Sequence, residues 1–252
     1  MTQQARQIVV EHTAEQADEF AAQIIRATIC DVVGARSLCH VALAGGTTPR
    51  SLYQKLAQGA TAEAVPWGEV EFFFSDERDV PHDHVESNYN MVQRVLLDQL
   101  PIEPSRIHPM PADAEDLATA AAEYEQDVRR IVPAGPDGLP QLDLILLGMG
   151  GDGHVASLFP DTEALNETTK LVTTQFVPVL GRRRMTLTFP LINAARLVLL
   201  LVTGDDKSQT VAAMLGDDQA AKSKLPAARL DPKHGKLIVV LDAQAARYAH
   251  QA

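Results

Sequence analysis

The chain has 252 residues, 46% of them hydrophobic and 22% charged, with a formal net charge of −11. That length is enough to bury a substantial core, and a single domain over residues 1–252 is expected. The acidic balance argues against general nucleic-acid binding, because a phosphodiester backbone is repelled by a surface of its own sign; a local basic pocket still suits a small phosphorylated ligand. Cys30 and Cys39 make neither a disulfide framework nor a C-x-x-C pair, and both are expected to be buried thiols. Met1 to Glu11 lacks a charged segment followed by an apolar one, and no run approaches the ~20 apolar residues of a membrane span, so a cytoplasmic setting is expected.

In chain order, the pattern predicts a strand at 8–11, a helix at 13–33, a strand at 38–44 and a helix at 49–58. A strand at 70–75 follows, then helices at 87–99 and 112–131 and a strand at 142–148. The segment 168–193 breaks the alternation: strand-like runs at 170–176 and 184–189 have no helical pattern between them, which predicts a small antiparallel insert. A strand at 197–203, a helix at 205–215 and a strand at 237–241 complete the chain. Runs such as Leu142-Asp143-Leu144-Ile145-Leu146-Leu147 are apolar almost throughout, as in strands covered on both faces. The fold class is therefore α/β, a doubly wound, mostly parallel sheet flanked by helices. Pro133–Pro140 joins a helix to the central strand rather than two domains.

In such sheets ligands bind beyond the carboxyl ends of the strands, and four strand ends carry unusual residues. After the strand at 38–44 comes Gly45-Gly46-Thr47-Thr48-Pro49-Arg50. Glycines permit a sharp bend and close approach, Pro49 suits a first helical turn, and free N–H groups with Arg50 favour a phosphate. An ordinary strand–turn–helix junction capped by Thr accounts for the same residues. Ser75-Asp76-Glu77-Arg78 closes an aromatic strand with three charges; Arg78 suits an anion and Asp76 a hydroxyl or a base, or the two form an ion pair on a solvated turn. His82-Asp83-His84-Val85-Glu86 matches no zinc spacing and reads as a solvated loop, so no metal is expected.

The third strand end runs from Gly148 to Pro160. Gly148, Gly150 and Gly153 satisfy G-x-G-x-x-G, but a dinucleotide fingerprint should open a long helix, and Pro160 closes this segment within a few residues. What remains is a glycine-rich turn presenting Asp152 and His154, the latter the side chain best suited to proton transfer near neutrality. The fourth is Thr203-Gly204-Asp205-Asp206-Lys207, where Lys207 opposes the usual acidic preference of a first helical turn and is explained by an anion or by plain exposure. The G-x-S-x-G elbow and the Walker A loop are missing, which leaves His-assisted attack by water as the economical chemistry.

Together these segments, with Ser87-Asn88-Tyr89 and Arg184-Met185-Thr186-Leu187-Thr188, resemble the 6-phosphogluconolactonases, a family related to the glucosamine-6-phosphate deaminases and sharing a sugar-phosphate isomerase fold. The resemblance spans nearly the whole chain. Arg78 stands where deaminases carry Tyr, and Ala156-Ser157-Leu158-Phe159-Pro160 looks like the lactonase version of the segment after Asp-Gly-His. Gly181-Arg182-Arg183 replaces the prolines often found before Arg184, leaving open which of the three arginines faces the ligand. The resemblance implies hydrolysis of 6-phospho-D-glucono-1,5-lactone in the oxidative pentose phosphate pathway without a cofactor, by a monomer or weak dimer metabolically linked to glucose-6-phosphate dehydrogenase and 6-phosphogluconate dehydrogenase. His154 would be the base, Asp152 or Asp76 would orient the imidazole or substrate hydroxyls, and backbone N–H groups of the glycine turn or Arg78 would receive the oxyanion. Gly45, Gly46, Thr47, Thr48, Arg50, Arg78, Gly151, Arg184 and Lys207 are the substrate and phosphate candidates. The alternatives are a glucosamine-6-phosphate deaminase-like isomerase and a non-catalytic sugar-phosphate sensor.

Overall fold

The computed structural model describes residues 6–58 and 64–249. The expectations made for the extreme amino-terminus, and for a domain reaching both chain ends, fall partly outside those residues. The elements are β1 (Arg6–Glu11), α1 (Ala14–Arg36), β2 (Cys39–Leu43), α2 (Thr47–Leu56), β3 (Val70–Phe74), β4 (Asp76–Arg78), α3 (Asn88–Val95), α4 (Leu117–Ile131) and β5 (Leu144–Leu147). They continue with β6 (Val172–Val177), β7 (Arg182–Leu187), α5 (Phe189–Ile192), β8 (Leu197–Val202), α6 (Ser208–Leu215), α7 (Gln219–Lys222) and β9 (Lys236–Asp242). None of the described helices is long and apolar enough to cross a membrane.

Six strands form one sheet in the order β1-β9-β8-β5-β2-β3, with every pairing parallel. β5 and β8 are buried at every position, which is why their sequences are unbroken apolar runs rather than alternating ones. The flanking helix α1 shows how local chemistry sets the frame. Thr13 caps it by accepting the Gln16 N–H at 3.2 Å, and Ala17, Ala21, Ala22, Ile25 and Ile29 form its buried stripe at helical spacing. From β2 the chain moves outward to β3 and then returns to place β5 on the other side of β2. The loops leaving β2 and β5 therefore diverge, and a crevice opens between them at the carboxyl end of the sheet.

The antiparallel insert expected at 168–193 is present as β6 and β7, but it recruits a third strand that the sequence reading placed in a loop. Asp76–Arg78 continues β3 as β4 and pairs with β7. Ser75 is the crossing point: its N–H bonds to Leu43 O in the large sheet, and its carbonyl accepts from Leu187 N–H in the small one, both at 2.8 Å. Other boundaries shift for local reasons. α4 begins only at Leu117, where Asp116 accepts the Thr119 N–H at 3.1 Å, and β7 gives way at Phe189-Pro190 to the short α5. Cys39 is buried as expected, whereas Cys30 is exposed, because it lies one residue past the buried Ile29 and turns away from the sheet.

The end of the sheet opposite the crevice is tied by a buried carboxylate. Asp143 accepts from His40 N–H at 2.9 Å and from Arg36 Nη2 at 2.6 Å, and Arg196 Nε lies 3.3 Å away. Burial alone would raise this carboxyl, but the His40 and Arg36 hydrogen bonds outweigh it and hold the group below its ordinary range.

Candidate active site

The crevice is a cavity of 410 Å³ whose walls come from the ends of β2, β4, β5 and β7 and from the segment before α6. Of the expected residues, Gly45, Gly46, Thr47, Thr48, Asp76, Arg78, His154, Arg184 and Lys207 all line it. Arg50 does not: it is an exposed residue on α2, one position beyond the buried Pro49. Gly151 and Asp152 are exposed residues of the same turn as His154 that do not themselves line the cavity.

At the end of β2 the chain turns at Gly45, where a Cβ would fall 1.7 Å from Asn88 Oδ1 and displace the Asn88 side chain. Tyr53 fixes the turn from α2, its hydroxyl donating to Ala44 O at 2.6 Å and accepting from Ala44 N–H at 3.0 Å. α2 then starts at Thr47 with Gly46 as its cap and no side-chain cap bond, so the Thr cap is replaced by a bare helix start. The unsatisfied N–H groups and the positive end of the helix dipole sit at the cavity wall.

β4 explains the odd charged tripeptide. Alternate residues of a strand face opposite ways, so Asp76 and Arg78 meet the cavity while Glu77 is fully buried beneath α3. The Glu77 carboxylate accepts from Arg78 N–H and Asn88 N–H at 2.7 Å, from Tyr89 N–H at 2.8 Å and from Ser87 Oγ at 3.0 Å. Burial nevertheless pushes this carboxyl above its usual value. Asp76 is held by Ser157 Oγ at 2.7 Å and Asn88 Nδ2 at 3.3 Å. No Asp76–Arg78 ion pair forms; Arg78 Nη1 donates to Glu86 O at 2.5 Å.

The turn after β5 carries the histidine. From Gly148 to Thr162 no helix forms, in keeping with the exclusion of a dinucleotide loop. His154 Nδ1 lies 2.6 Å from Asp152 Oδ1, and the ring stacks on Phe159. Gly150 must lack a side chain, since a Cβ would lie 2.2 Å from the imidazole. The turn is clamped from behind by Thr210 Oγ1 on Gly151 O at 2.5 Å and by Ala227 N–H on Gly153 O at 2.9 Å. Burial works to raise the Asp152 carboxyl, but hydrogen bonding to His154 and the attraction of its ring outweigh it, keeping Asp152 below its usual value. With Nδ1 facing a carboxylate, a neutral imidazole carries its proton there and turns an unprotonated Nε2 outward. Within the turn, Gly150 N–H already donates to His154 O and Gly153 N–H to Gly150 O, so neither is available as an oxyanion donor.

The cavity that His154 lines is also lined by cations. Of the three arginines at 182–184 only Arg184 lines the cavity; Arg182 pairs with Glu86 at 3.2 Å and Arg183 with Asp79 at 2.9 Å. Neither Arg78 nor Arg184 makes a carboxylate ion pair among the described residues. Burial first, then repulsion from Arg78, lowers the Arg184 pKa. Lys207 pairs with its neighbour Asp206. Sequence reasoning missed Asn88, Ser157 and Thr186, which accepts Ser157 N–H at 3.1 Å; their roles come from contacts across β4, β7 and the turn, although Asn88 and Ser157 sat within the quoted segments. The His82–Glu86 segment is a turn in which His82 Nε2 lies 2.8 Å from Met110 O.

Comparison with known proteins places this geometry. The family model described as "Glucosamine-6-phosphate isomerases/6-phosphogluconolactonase" matches residues 12–239. A 6-phosphogluconolactonase from Synechocystis sp. is 39% identical over 227 residues, 90% of this chain and 91% of that protein. The human 6-phosphogluconolactonase is 36% identical over 234 residues, covering 90% and 87%. The 6-phosphogluconolactonase structure from Trypanosoma brucei superposes with a TM-score of 0.85 at 29% identity, over 97% of this chain and 99% of that one. A monomeric glucosamine-6-phosphate deaminase superposes at 0.79 with 22% identity, over 96% and 99%, a likeness of fold alone. With curated lactonases matched over nine-tenths of its length, the chain belongs to the 6-phosphogluconolactonase family within the glucosamine-6-phosphate isomerase/6-phosphogluconolactonase group.

Proposed function

We propose that the chain hydrolyses 6-phospho-D-glucono-1,5-lactone to 6-phospho-D-gluconate, with His154 as general base and then general acid. The observation that carries this reading is the His154–Asp152 pair at 2.6 Å, set in a cavity whose other walls hold Arg78, Arg184, Lys207 and an uncapped helix start. His154 Nε2 takes a proton from water as the water oxygen bonds to the lactone carbonyl carbon. The carbonyl becomes an oxyanion facing the guanidinium side of the cavity. On collapse, the bond from that carbon to the ring oxygen breaks and the imidazolium returns its proton to the departing oxygen. Asp152 keeps the imidazole in the required tautomer and stabilises its charged form, and Asp76, held by Ser157 and Asn88, accepts from sugar hydroxyls.

The phosphate is a dianion and needs more than one donor. The first N–H groups of α2, the Thr47 and Thr48 hydroxyls, Lys207, Arg78 and Arg184 supply a cationic wall on a chain whose net charge is −11. A cytoplasmic setting between glucose-6-phosphate dehydrogenase and 6-phosphogluconate dehydrogenase belongs to the same proposal. The test generates the lactone in situ with glucose-6-phosphate dehydrogenase and follows acid release. Acid production above the spontaneous rate supports hydrolysis; ammonia release from glucosamine-6-phosphate without lactone turnover would replace this reading with the deaminase one.

A further inference from the structure

We propose that Phe159 is a positioning residue for the reaction, its ring forming the platform that holds the His154 imidazole in plane and favours it once protonated. The inference rests on His154 being the base. The two rings are stacked, with centroids 4.0 Å apart and planes 22° from parallel. Asp152 holds the Nδ1 edge, and the edge from Cε1 to Nδ1 occupies space that a Cβ on Gly150 would fill. One hydrogen bond leaves a ring free to tilt about its contact; a flat surface against the ring face removes that freedom and fixes where Nε2 points.

Two observations separate this role from ordinary packing. Phe159 is only 6% exposed, yet it stands outside the continuous hydrophobic core, which takes Val155 and Leu158 from the same loop. The loop also turns into the left-handed region on both sides of it, at Ala156 with φ 49° and Asp161 with φ 58°; Asp tolerates that region, whereas Ala adopts it only when its surroundings demand it. Thr162 Oγ1 donates to Phe159 O at 2.7 Å and pins the residue in place.

The electrostatics point the same way. The electron-rich face of an aromatic ring attracts a cation, and the imidazole becomes a cation only as it takes the proton from water. Asp152 on its own loop, Asp76 and Arg78 on β4, Arg184 on β7 and Lys207 before α6 set the field around the imidazole; Phe159 adds a preference for the charged form that is realised in the transition state. Loss of the ring should therefore lower kcat and leave KM nearly unchanged.

The experiment compares wild type, Phe159→Leu, Phe159→Tyr and His154→Ala in lactone hydrolysis, with melting temperatures measured alongside. Phe159→Leu is expected to lose about ten-fold in kcat, with KM within about two-fold, and Phe159→Tyr to keep most of the activity. If Phe159→Leu does not fold, Phe159→Met, flexible and without a π-face, takes its place with the same expectation. A folded Leu or Met variant with wild-type kcat, a loss carried by KM, or a folded Tyr variant as slow as Leu would overturn the proposal. Wild-type protein without turnover, or His154→Ala as fast as wild type, would instead remove the functional reading beneath it.

Discussion

At the scale of single residues, the site depends on how one imidazole is oriented. On the proposed mechanism Asp152 acts through that ring, so Asp152→Asn should leave the fold intact and lower kcat by roughly 10²-fold, because an amide no longer fixes the tautomer or balances the imidazolium. Steady-state kinetics beside an unchanged circular-dichroism spectrum checks this. Gly150→Ala should be nearly as damaging without altering any chemical group, since its methyl would occupy the place of the imidazole edge. Much of this was legible in the sequence: a histidine two residues from an aspartate in a four-glycine turn at a strand end is an uncommon pattern. What was not legible was the division of labour. Arg50 looked like a phosphate ligand because it stands at a helix start whose free N–H groups favour an anion, and only its exposed position on α2 leaves it out of the cavity wall.

At the scale of elements, the least legible piece was β4. Three successive charged residues read as the end of a strand, because a strand in a covered sheet is expected to be apolar. The chain instead crosses at Ser75 into a second sheet, where Asp76 and Arg78 face a polar cavity and Glu77 is met by the N–H groups of α3. Those contacts span about ten residues of sequence and have no local signature. The opposite sheet end offers a stability test. Asp143 is held below its ordinary carboxyl value of 3.8, so its bonds contribute stability that is fully present above that pH and is lost as pH falls through the lower, folded value. Asp143→Asn should cost roughly 2 kcal/mol at neutral pH, less than a fully buried pair because Arg36 and Arg196 are partly exposed. Its denaturant stability should also fall less steeply than that of wild type on acidification below pH 4; an equally steep fall in both would assign the acid sensitivity elsewhere.

At the scale of the whole molecule, the alternation of apolar runs and helical patterns fixed the fold class, and with it the expectation of a site beyond the carboxyl ends of the strands. The order in which strands pair was not legible, since parallel neighbours leave no mark on each other's sequence. That order places β2 beside β5 and so brings the Gly45–Gly46 turn and the His154 turn to one crevice from segments about a hundred residues apart. The hydrophobic core runs continuously from Ala17 on α1 to Ala246 after β9. A single domain is the corresponding proposal, and it predicts one calorimetric transition with equal van't Hoff and calorimetric enthalpies; two resolved transitions would divide the chain.

The most direct test of the account is the rate of 6-phosphogluconolactone hydrolysis by His154→Ala beside wild type at neutral pH, corrected for spontaneous opening. Loss of general-base help predicts a fall in kcat of about 10²–10⁴-fold in a protein that still melts like wild type. A folded His154→Ala protein that hydrolyses the lactone at the wild-type rate would contradict it.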